Sequence, residues 1–243
     1  MPRTARKAPA GLIYHVLNRS VGRMRLFRSD ADFEAFERVV IEAFARCPLP
    51  VLSYCVMSNH WHFVVRPRTD HQVTDFFRWL AHTHAMRWRV ARRTAGYGHL
   101  YQGRFKCFPV QSDDHLLTVL RYVERNPVGP GLVERAERWR RGSLWARLHD
   151  DAPTRHMLAP WPVACPDDWI ERVNAPLGAR EVRALKPSLE RGRPFGDDAW
   201  TGRIVRRLGL GHTIRPEGRL RKEGSPPPGP ETASSSSALP RGR

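Results

Sequence analysis

Acidic side chains, lysine and cysteine are all scarce in this sequence. It has 24 Asp and Glu against 41 Lys and Arg, which gives a net charge of +17, and Arg supplies most of the positive charge. The planar guanidinium group suits phosphate oxygens. The imbalance therefore favours a partner made of phosphates, such as a nucleic acid. The alternative is that it records only the codon usage of a GC-rich genome.

The four cysteines are scattered, and no two of them stand at the spacing of metal ligands. They indicate reduced, mostly structural side chains and a reducing compartment. Long apolar runs are absent as well. The basic N-terminal residues contain no run long enough for a signal peptide, and no segment approaches the length of a membrane span. We therefore expect a cytoplasmic protein.

The first half of the chain alternates between strand and helix patterns, with a hairpin in the middle. The predicted strands are 12–18, 51–57, 60–66 and 105–110, and the predicted helices are 29–47, 72–93 and 112–126. Strand, helix, hairpin, helix and strand in this order fit a split βαβ, ferredoxin-like α+β sandwich with an antiparallel sheet.

Composition divides the chain into four parts. We predict a flexible N-terminus at residues 1–10 and a ferredoxin-like domain at residues 11–149. A small basic extension of short helical pieces follows at residues 150–222. The Pro/Ser-rich residues 223–243 have the composition of a disordered tail.

The sequence His60-Trp61-His62 lies in the third predicted strand. Side chains alternate along a strand, so His60 and His62 share one face, and Trp61 and Phe63 share the other. Two imidazoles on one face can bind one cation. The alternative is a pair of partly buried, hydrogen-bonded histidines, and the strand by itself does not decide between the two.

Tyr122 and Asn126 stand four residues apart in the third predicted helix, so they share one face. That face flanks the apolar stripe that is expected to enter the core. The stripe consists of Leu116, Val119, Leu120 and Val123. Asn126 offers an amide oxygen to a hard divalent cation, and Tyr122 offers a phenol that can attack a phosphodiester. The alternatives are a boundary tyrosine and an ordinary asparagine at a helix end before Pro127.

Taken in order, these residues resemble the single-tyrosine HUH transposases, and among them the REP-associated tyrosine transposases. The sequences that carry the resemblance are YHVLNRS (14–20), YCVMSNHWHFVV (54–65), LYQGRFKCFPVQ (100–111), YVERNP (122–127), NPVGPGLV (126–133) and RGRPFG…RLGL…RPEGRLRK further on. The resemblance covers about residues 11 to 222. It departs at Gly129-Pro130, where the family usually has Arg-Ala, so one basic side chain is missing from the loop after the third helix.

The resemblance implies an enzyme that cuts and rejoins single-stranded DNA at hairpin-forming repeats. The resemblance also implies that Tyr122 is the nucleophile and forms a 5′-phosphotyrosine. His60, His62 and Asn126 bind Mg²⁺ or Mn²⁺, and no organic cofactor is implied. The resemblance also favours a monomer over a dimer and a cytoplasmic, nucleoid-associated location.

Basic side chains near the implied site and in the C-terminal extension are expected to hold single-stranded or hairpin DNA. These are Arg19, Arg92, Arg93, Arg104, Lys106, Arg215, Arg219 and Arg221. In the second helix, arginines alternate with Trp79 and Trp88, which favours base stacking unless the tryptophans belong to the core.

Two other functions compete with an active strand transferase. One is a protein of the same fold that binds the hairpins with weak or lost catalysis. The other is a histidine-triad nucleotide hydrolase, which is disfavoured because it needs a further histidine where this sequence has Val64.

Overall fold

The computed structural model describes residues 8–215. The predicted DNA contacts Arg219 and Arg221 and the predicted tail at residues 223–243 lie outside the described residues. The strands are β1 (Ile13–Arg19), β2 (Val51–Met57), β3 (His60–Val65) and β4 (Lys106–Val110). The helices are α1 (Asp30–Arg46), α2 (Gln72–Ala91), α3 (Asp114–Arg125), α4 (Ser143–Leu148), α5 (Trp169–Asn174), α6 (Ala179–Arg191) and α7 (Asp198–Leu208). None of the described helices is long and apolar enough to cross a membrane.

The four strands form one antiparallel sheet in the order β2-β3-β1-β4. Because β1 lies between β3 and β4, the two halves of the chain interleave as a split βαβ arrangement requires. This confirms the predicted fold class. The seven predicted elements are all present, and their observed ends fall within two residues of the predicted ones.

Both faces of the sheet are covered, each by different helices. α1 and α2 pack on the face that carries Val16, Trp61 and Phe63. α3 packs on the opposite face, against Leu17 and Val64. The alternation predicted for the third strand is therefore confirmed, and the two histidines of β3 point toward α3 rather than toward α1 and α2.

α3 is fixed at both ends by its sequence. The Asp113 carboxylate accepts the backbone N–H of His115, which satisfies one of the free donors at the helix start. Asn126 caps the other end, and Pro127 follows it. The predicted apolar stripe of this helix is fully buried. The side of α3 next to this stripe, which carries Tyr122 and Asn126, therefore lies at the surface of the sheet, beside β1 and β3.

The C-terminal extension belongs to the same layer as α3. Trp169, Val173 and Leu185 are buried in one core with α3. The backbone of Phe195 pairs with β4, donating to the carbonyl of Pro109 and accepting from Gln111, each at 2.9 Å. The extension thus covers the edge strand of the sheet, whose backbone groups are otherwise unpaired.

A buried carboxylate joins the extension to α3. Glu124 is 3% exposed, and one of its oxygens accepts hydrogen bonds from Ser53 at 3.2 Å and from Ser143 at 2.8 Å. The other oxygen accepts from the indole of Trp169 at 2.8 Å. These three donors come from β2, α4 and α5, so Glu124 ties three elements to the helix that carries Tyr122.

Replacing Glu124 with Ala is expected to lower the free energy of unfolding by about 2–4 kcal/mol, because buried donors lose their acceptor. Glu124→Gln keeps an acceptor for Trp169 and serves as the matched control. Burial raises the pKa of this carboxyl. The native state therefore holds a proton at this carboxyl more tightly than the unfolded state does, and the contribution of Glu124 to stability falls as pH rises from the ordinary carboxyl pKa through the raised one.

Urea unfolding at pH 5 and pH 8 measures both effects. Buried histidines with lowered pKa values add stability as pH rises, in both proteins alike. The stability at pH 8 relative to that at pH 5 is therefore expected to be higher in Glu124→Gln than in wild type. An alanine variant as stable as wild type would show that this network does not hold the extension to α3.

Candidate active site

Side chains of β1, β3 and α3 meet in a small polar site on the α3 face of the sheet. Arg19 of β1 lies opposite His60 of β3 in the strand register. The ring centroids of His60 and His62 are 5.0 Å apart, and those of His62 and Tyr122 are 5.7 Å apart. Asn126 reaches His60 from the end of α3. The structure thus brings together the predicted histidines, tyrosine and asparagine, and adds Arg19 to them.

The hydrogen bonds around His60 fix which of its nitrogens carries the proton. Asn59 donates its side-chain N–H to the carbonyl of Arg23 at 3.1 Å, so its amide oxygen faces His60. That oxygen lies 2.6 Å from Nδ1 of His60. An amide oxygen only accepts hydrogen bonds. His60 must therefore donate from Nδ1, which leaves a lone pair on Nε2.

The side chain of Asn126 is oriented in the same way. Its amide nitrogen donates to the carbonyl of Tyr122 at 3.2 Å, so its oxygen faces His60. The separation of Asn126 Oδ1 and His60 Nε2 is 3.4 Å. Both atoms are acceptors, and no proton lies between them. Donors that share one cation at about 2.1 Å lie roughly 3–3.4 Å apart, which this pair matches.

His62 completes the set of donors. It is buried, and its Nε2 has no hydrogen-bond partner among the described residues. Burial and the nearby Arg19 lower the pKa of His60 to about 4. Burial, followed by the charges of neighbouring groups, lowers the pKa of His62 well below its ordinary value. Both rings are therefore neutral at pH 7, as a metal ligand must be.

Within residues 8–215, no cluster of three or more His, Cys, Asp or Glu side chains is placed to hold a metal ion. A cation at this site would therefore take its third protein ligand from an amide. Two imidazole nitrogens and the Asn126 oxygen form such a set. The residues present fit a divalent cation.

Tyr122 is partly buried beside these donors, and its ring meets the His62 ring edge to face. Burial raises the pKa of its phenol, while the Asn126 side chain and the Arg19 charge lower it. The balance is a raised pKa, so the phenol carries its proton at pH 7. It needs a cation or a base to ionise when it acts as a nucleophile.

Two of the predicted DNA contacts are already engaged inside the protein. Arg92 pairs with Asp32 at 2.7 Å and lies over the ring of Trp88, 4.2 Å from its centroid. Lys106 donates to the carbonyls of Leu189 and Glu190 at 3.2 and 3.1 Å. Both cations thus have partners inside the protein, and their contact with DNA stays a prediction.

The predicted stacking role of the α2 tryptophans meets the same difficulty. Trp88 is 7% exposed, and its indole donates to the carbonyl of Leu26 at 2.8 Å. Trp79 packs against the core under the guanidinium of Arg46. A base cannot stack on either ring in this arrangement, so the alternative interpretation, that both belong to the core, is the better one.

Three other predicted DNA contacts within the described residues are exposed to solvent. Arg104, Arg93 and Arg215 are exposed. Arg104 follows Gly103, whose carbonyl lies 3.5 Å from the Asn18 amide at the end of β1, next to Arg19. Arg104 lines a cavity with Asn18, Phe77 and His82 beside α2. Phe77 belongs to the core on the opposite face of the sheet from Tyr122. Among residues 8–215, no contact ties Arg93 or Arg215 to the site.

Two residues that the sequence analysis did not select also belong here. Asn59 orients His60, as described above, and His15 lies 2.9 Å from His62 through Nε2 and Nδ1. Both stand in motifs that carry the family resemblance. The signal for His15 was its alternation with Leu17 and Arg19 in β1, which places it on the α3 face once β1 is paired with β3.

Residues 9–126 match the family model of IS200-like transposases. The chain belongs to this family. The matched residues contain the whole sheet and end at Asn126, so they include every donor described above. No curated protein matches the sequence significantly.

Two solved structures are similar to this chain at low sequence identity. A REP-associated tyrosine transposase bound to a REP hairpin is 15% identical, with a TM-score of 0.48, over 74% of this chain and 96% of that one. A protein from Deinococcus radiodurans R1 that is assigned as a transposase is 17% identical, with a TM-score of 0.35, over 51% of this chain and 96% of that one.

The loop that follows α3 in this IS200-like transposase does not need its glycine. Gly129 is outside the left-handed region, and an added Cβ would meet only the carbonyl of Asn126, at 3.9 Å. The backbone therefore does not require glycine at this position, and a residue with a side chain could begin there.

Proposed function

We propose that this transposase cleaves and rejoins single-stranded DNA at repeat hairpins of the REP type, through a phosphotyrosine at Tyr122. His60, His62 and Asn126 would hold Mg²⁺ or Mn²⁺ for this reaction. The family membership supports DNA as the substrate. The hairpin bound by the REP-associated relative supports the substrate class, and the motifs shared with that branch support the finer assignment. A nucleoid-associated, cytoplasmic location and a monomer belong to the same proposal.

The chemistry is an exchange of one phosphodiester for another. The phenolic oxygen of Tyr122 bonds to phosphorus, the bond from phosphorus to the 3′-oxygen breaks, and that oxygen takes up a proton to become a 3′-hydroxyl. Attack of a 3′-hydroxyl on the phosphotyrosine reverses the step and frees the phenol. No nucleotide cofactor is needed, since the bond energy is retained in the protein–DNA link.

A bound divalent cation would polarise the scissile phosphate and stabilise the leaving oxygen. Side chains of the protein position the nucleophile and lower the pKa of its phenol. The edge-to-face contact with His62 places the ring of Tyr122 beside the donor set, and Arg19 contributes positive charge that lowers the pKa of the phenol. The Asn126 amide acts on the same pKa in the same direction, so one side chain serves both the cation and the nucleophile.

One observation carries the proposal. His60 Nε2 and Asn126 Oδ1 face each other as acceptors with no proton between them, and His62 Nε2 has no hydrogen-bond partner among the described residues. A site built only for packing would place a hydrogen-bond donor among them.

The test is the formation of a covalent protein–DNA species. The full-length protein is incubated with labelled single-stranded hairpin DNA in Mg²⁺, in Mn²⁺ and in chelator, and then separated on a denaturing gel. A labelled protein band in either metal and none in chelator is the expected result. A band of equal strength in chelator would remove the cation from the proposal.

A hairpin-binding protein with little catalysis is the second candidate. The raised pKa of the Tyr122 phenol favours it, because a phenol that keeps its proton is a poor nucleophile. It predicts tight, salt-dependent binding to hairpin DNA and no covalent band under any of the three conditions.

Arg104 and Lys106 provide a matched pair for the DNA contact. Replacing Arg104 with Ala is expected to weaken hairpin binding and to reduce the slope of log K against log salt by about 0.7–0.9, the effect of one phosphate contact. Lys106→Ala should leave the slope unchanged, because its ammonium is bonded to carbonyls of α6. Fluorescence anisotropy across a salt series measures both. Equal slopes for Arg104→Ala and wild type would place the DNA elsewhere.

A further inference from the structure

His15 and His62 form a buried pair between β1, β3 and α3. Nε2 of His15 lies 2.9 Å from Nδ1 of His62, and the two rings stack with their centroids 5.0 Å apart and their planes 20° apart. His15 is 0% exposed and His62 is 1% exposed. Phe108 meets the His15 ring edge to face at 4.9 Å and Tyr122 meets it at 6.2 Å. The His15 ring is therefore fixed in place by its neighbours on several sides.

The hydrogen bond between the two rings has two possible directions. If His62 donates from Nδ1 to His15, the Nε2 of His62 carries a lone pair. If His15 donates instead, the Nε2 of His62 carries a proton and cannot bind a cation. The two remaining nitrogens, His15 Nδ1 and His62 Nε2, have no hydrogen-bond partner among the described residues. Hydrogen bonds inside the protein thus favour neither direction, but a cation at Nε2 of His62 favours the first.

We propose that His15 is a positioning residue: its Nε2 accepts the Nδ1 proton of His62 and so keeps the Nε2 lone pair of His62 available to the divalent cation. This rests on the proposed function, since only a bound cation uses that lone pair.

The arrangement around His60 has the same logic. The Asn59 oxygen accepts the Nδ1 proton of His60 at 2.6 Å and leaves the Nε2 of that ring free. Ligating histidines commonly donate their second nitrogen to an acceptor that sets tautomer and ring orientation. Here the turn between β2 and β3 supplies the acceptor for one ligand, and β1 supplies the acceptor for the other. Both ligands would thereby present Nε2 as the nitrogen with the lone pair.

Two substitutions separate an acceptor role from a packing role. His15→Phe fills the buried space but removes the acceptor, while His15→Gln places an amide oxygen near the position of Nε2. In the full-length protein, Mn²⁺ affinity measured by electron paramagnetic resonance is expected to fall about 10–100-fold in His15→Phe, the usual range for a lost hydrogen bond to a ligand. It should return close to the wild-type value in His15→Gln. Circular dichroism confirms that both variants fold.

Long-range ¹H–¹⁵N spectra of the histidine rings provide a readout that packing alone would not change. In wild-type protein at saturating Mg²⁺, His62 is expected to carry its proton on Nδ1, and in His15→Phe a population with the proton on Nε2 should appear.

Three results would overturn the inference. Mn²⁺ binding as tight in His15→Phe as in wild type would do so, and so would a wild-type His62 protonated on Nε2. The third is a wild type that binds no Mn²⁺. In that case the proposed cation site itself fails, and this is recognisable because no variant then differs from wild type.

Discussion

Replacing Tyr122 with Phe is expected to abolish the covalent protein–DNA species and to reduce strand cleavage by about 10⁴-fold or more, the scale seen when a catalytic nucleophile is removed. The substitution removes one oxygen and keeps the ring. The ring contacts to His15 and His62 and the packing of α3 against the sheet should persist. Hairpin affinity should then stay close to that of wild type, so the loss is chemical and not a loss of binding.

Tyr97 offers the matched control for this substitution. Its side chain is 75% exposed in the segment after α2, and Tyr97→Phe removes the same oxygen from a different place. Its covalent product should form at the wild-type rate. If Tyr122→Phe still forms the covalent species, another group is the nucleophile and the assignment of Tyr122 fails.

Replacing His60 with Ala is expected to lower the cleavage rate by about 10³-fold, since a cation at a phosphate contributes several kcal/mol of transition-state stabilisation. The reason lies in the geometry. His60 supplies one of the two acceptors that face each other at 3.4 Å, and Asn126 alone cannot replace it. Mn²⁺ affinity should fall together with the rate. A higher Mn²⁺ concentration should restore part of the activity.

His82→Ala is the control for a general effect of losing an imidazole. His82 is exposed on α2, on the other side of the sheet from Tyr122. Its loss should leave both Mn²⁺ affinity and cleavage unchanged. Cleavage by His60→Ala at the wild-type rate, with no response to metal concentration, would contradict a catalytic cation at this site.

The sequence was sufficient to predict the sheet and its helices because its local signals agree with one another. Ser29 and Asp32 mark the start of α1, the Asp32 carboxylate accepting the backbone N–H of Ser29, and prolines follow the ends of α1 and α3. The alternation in β3 separates two faces that the structure buries under different helices. The short helical pieces predicted for the extension also form, as α5 and α6. Their packing against α3 was not predictable, since it depends on contacts such as that of Trp169 with Glu124.

The candidate site was only partly predictable for a similar reason. Strand periodicity places His60 and His62 on one face, and helix periodicity does the same for Tyr122 and Asn126. Only the family resemblance joined the two pairs in one site. The roles of His15 and Asn59 depend on pairing between strands and on the direction of individual hydrogen bonds, which periodicity does not contain. Charge counting also cannot tell exposed cations such as Arg104 from Arg92 and Lys106, whose side chains bond within the protein.

Mass spectrometry of the covalent product tests the central claim most directly. Trypsin cuts after Arg121 and Arg125, so the peptide Tyr122–Arg125 is released with any nucleotide that it carries. We expect this peptide to gain the mass of a nucleotide joined through its 5′-phosphate, in samples reacted with hairpin DNA and Mg²⁺ or Mn²⁺. An adduct on a different peptide, or tight hairpin binding with no adduct at all, would contradict strand transfer through Tyr122.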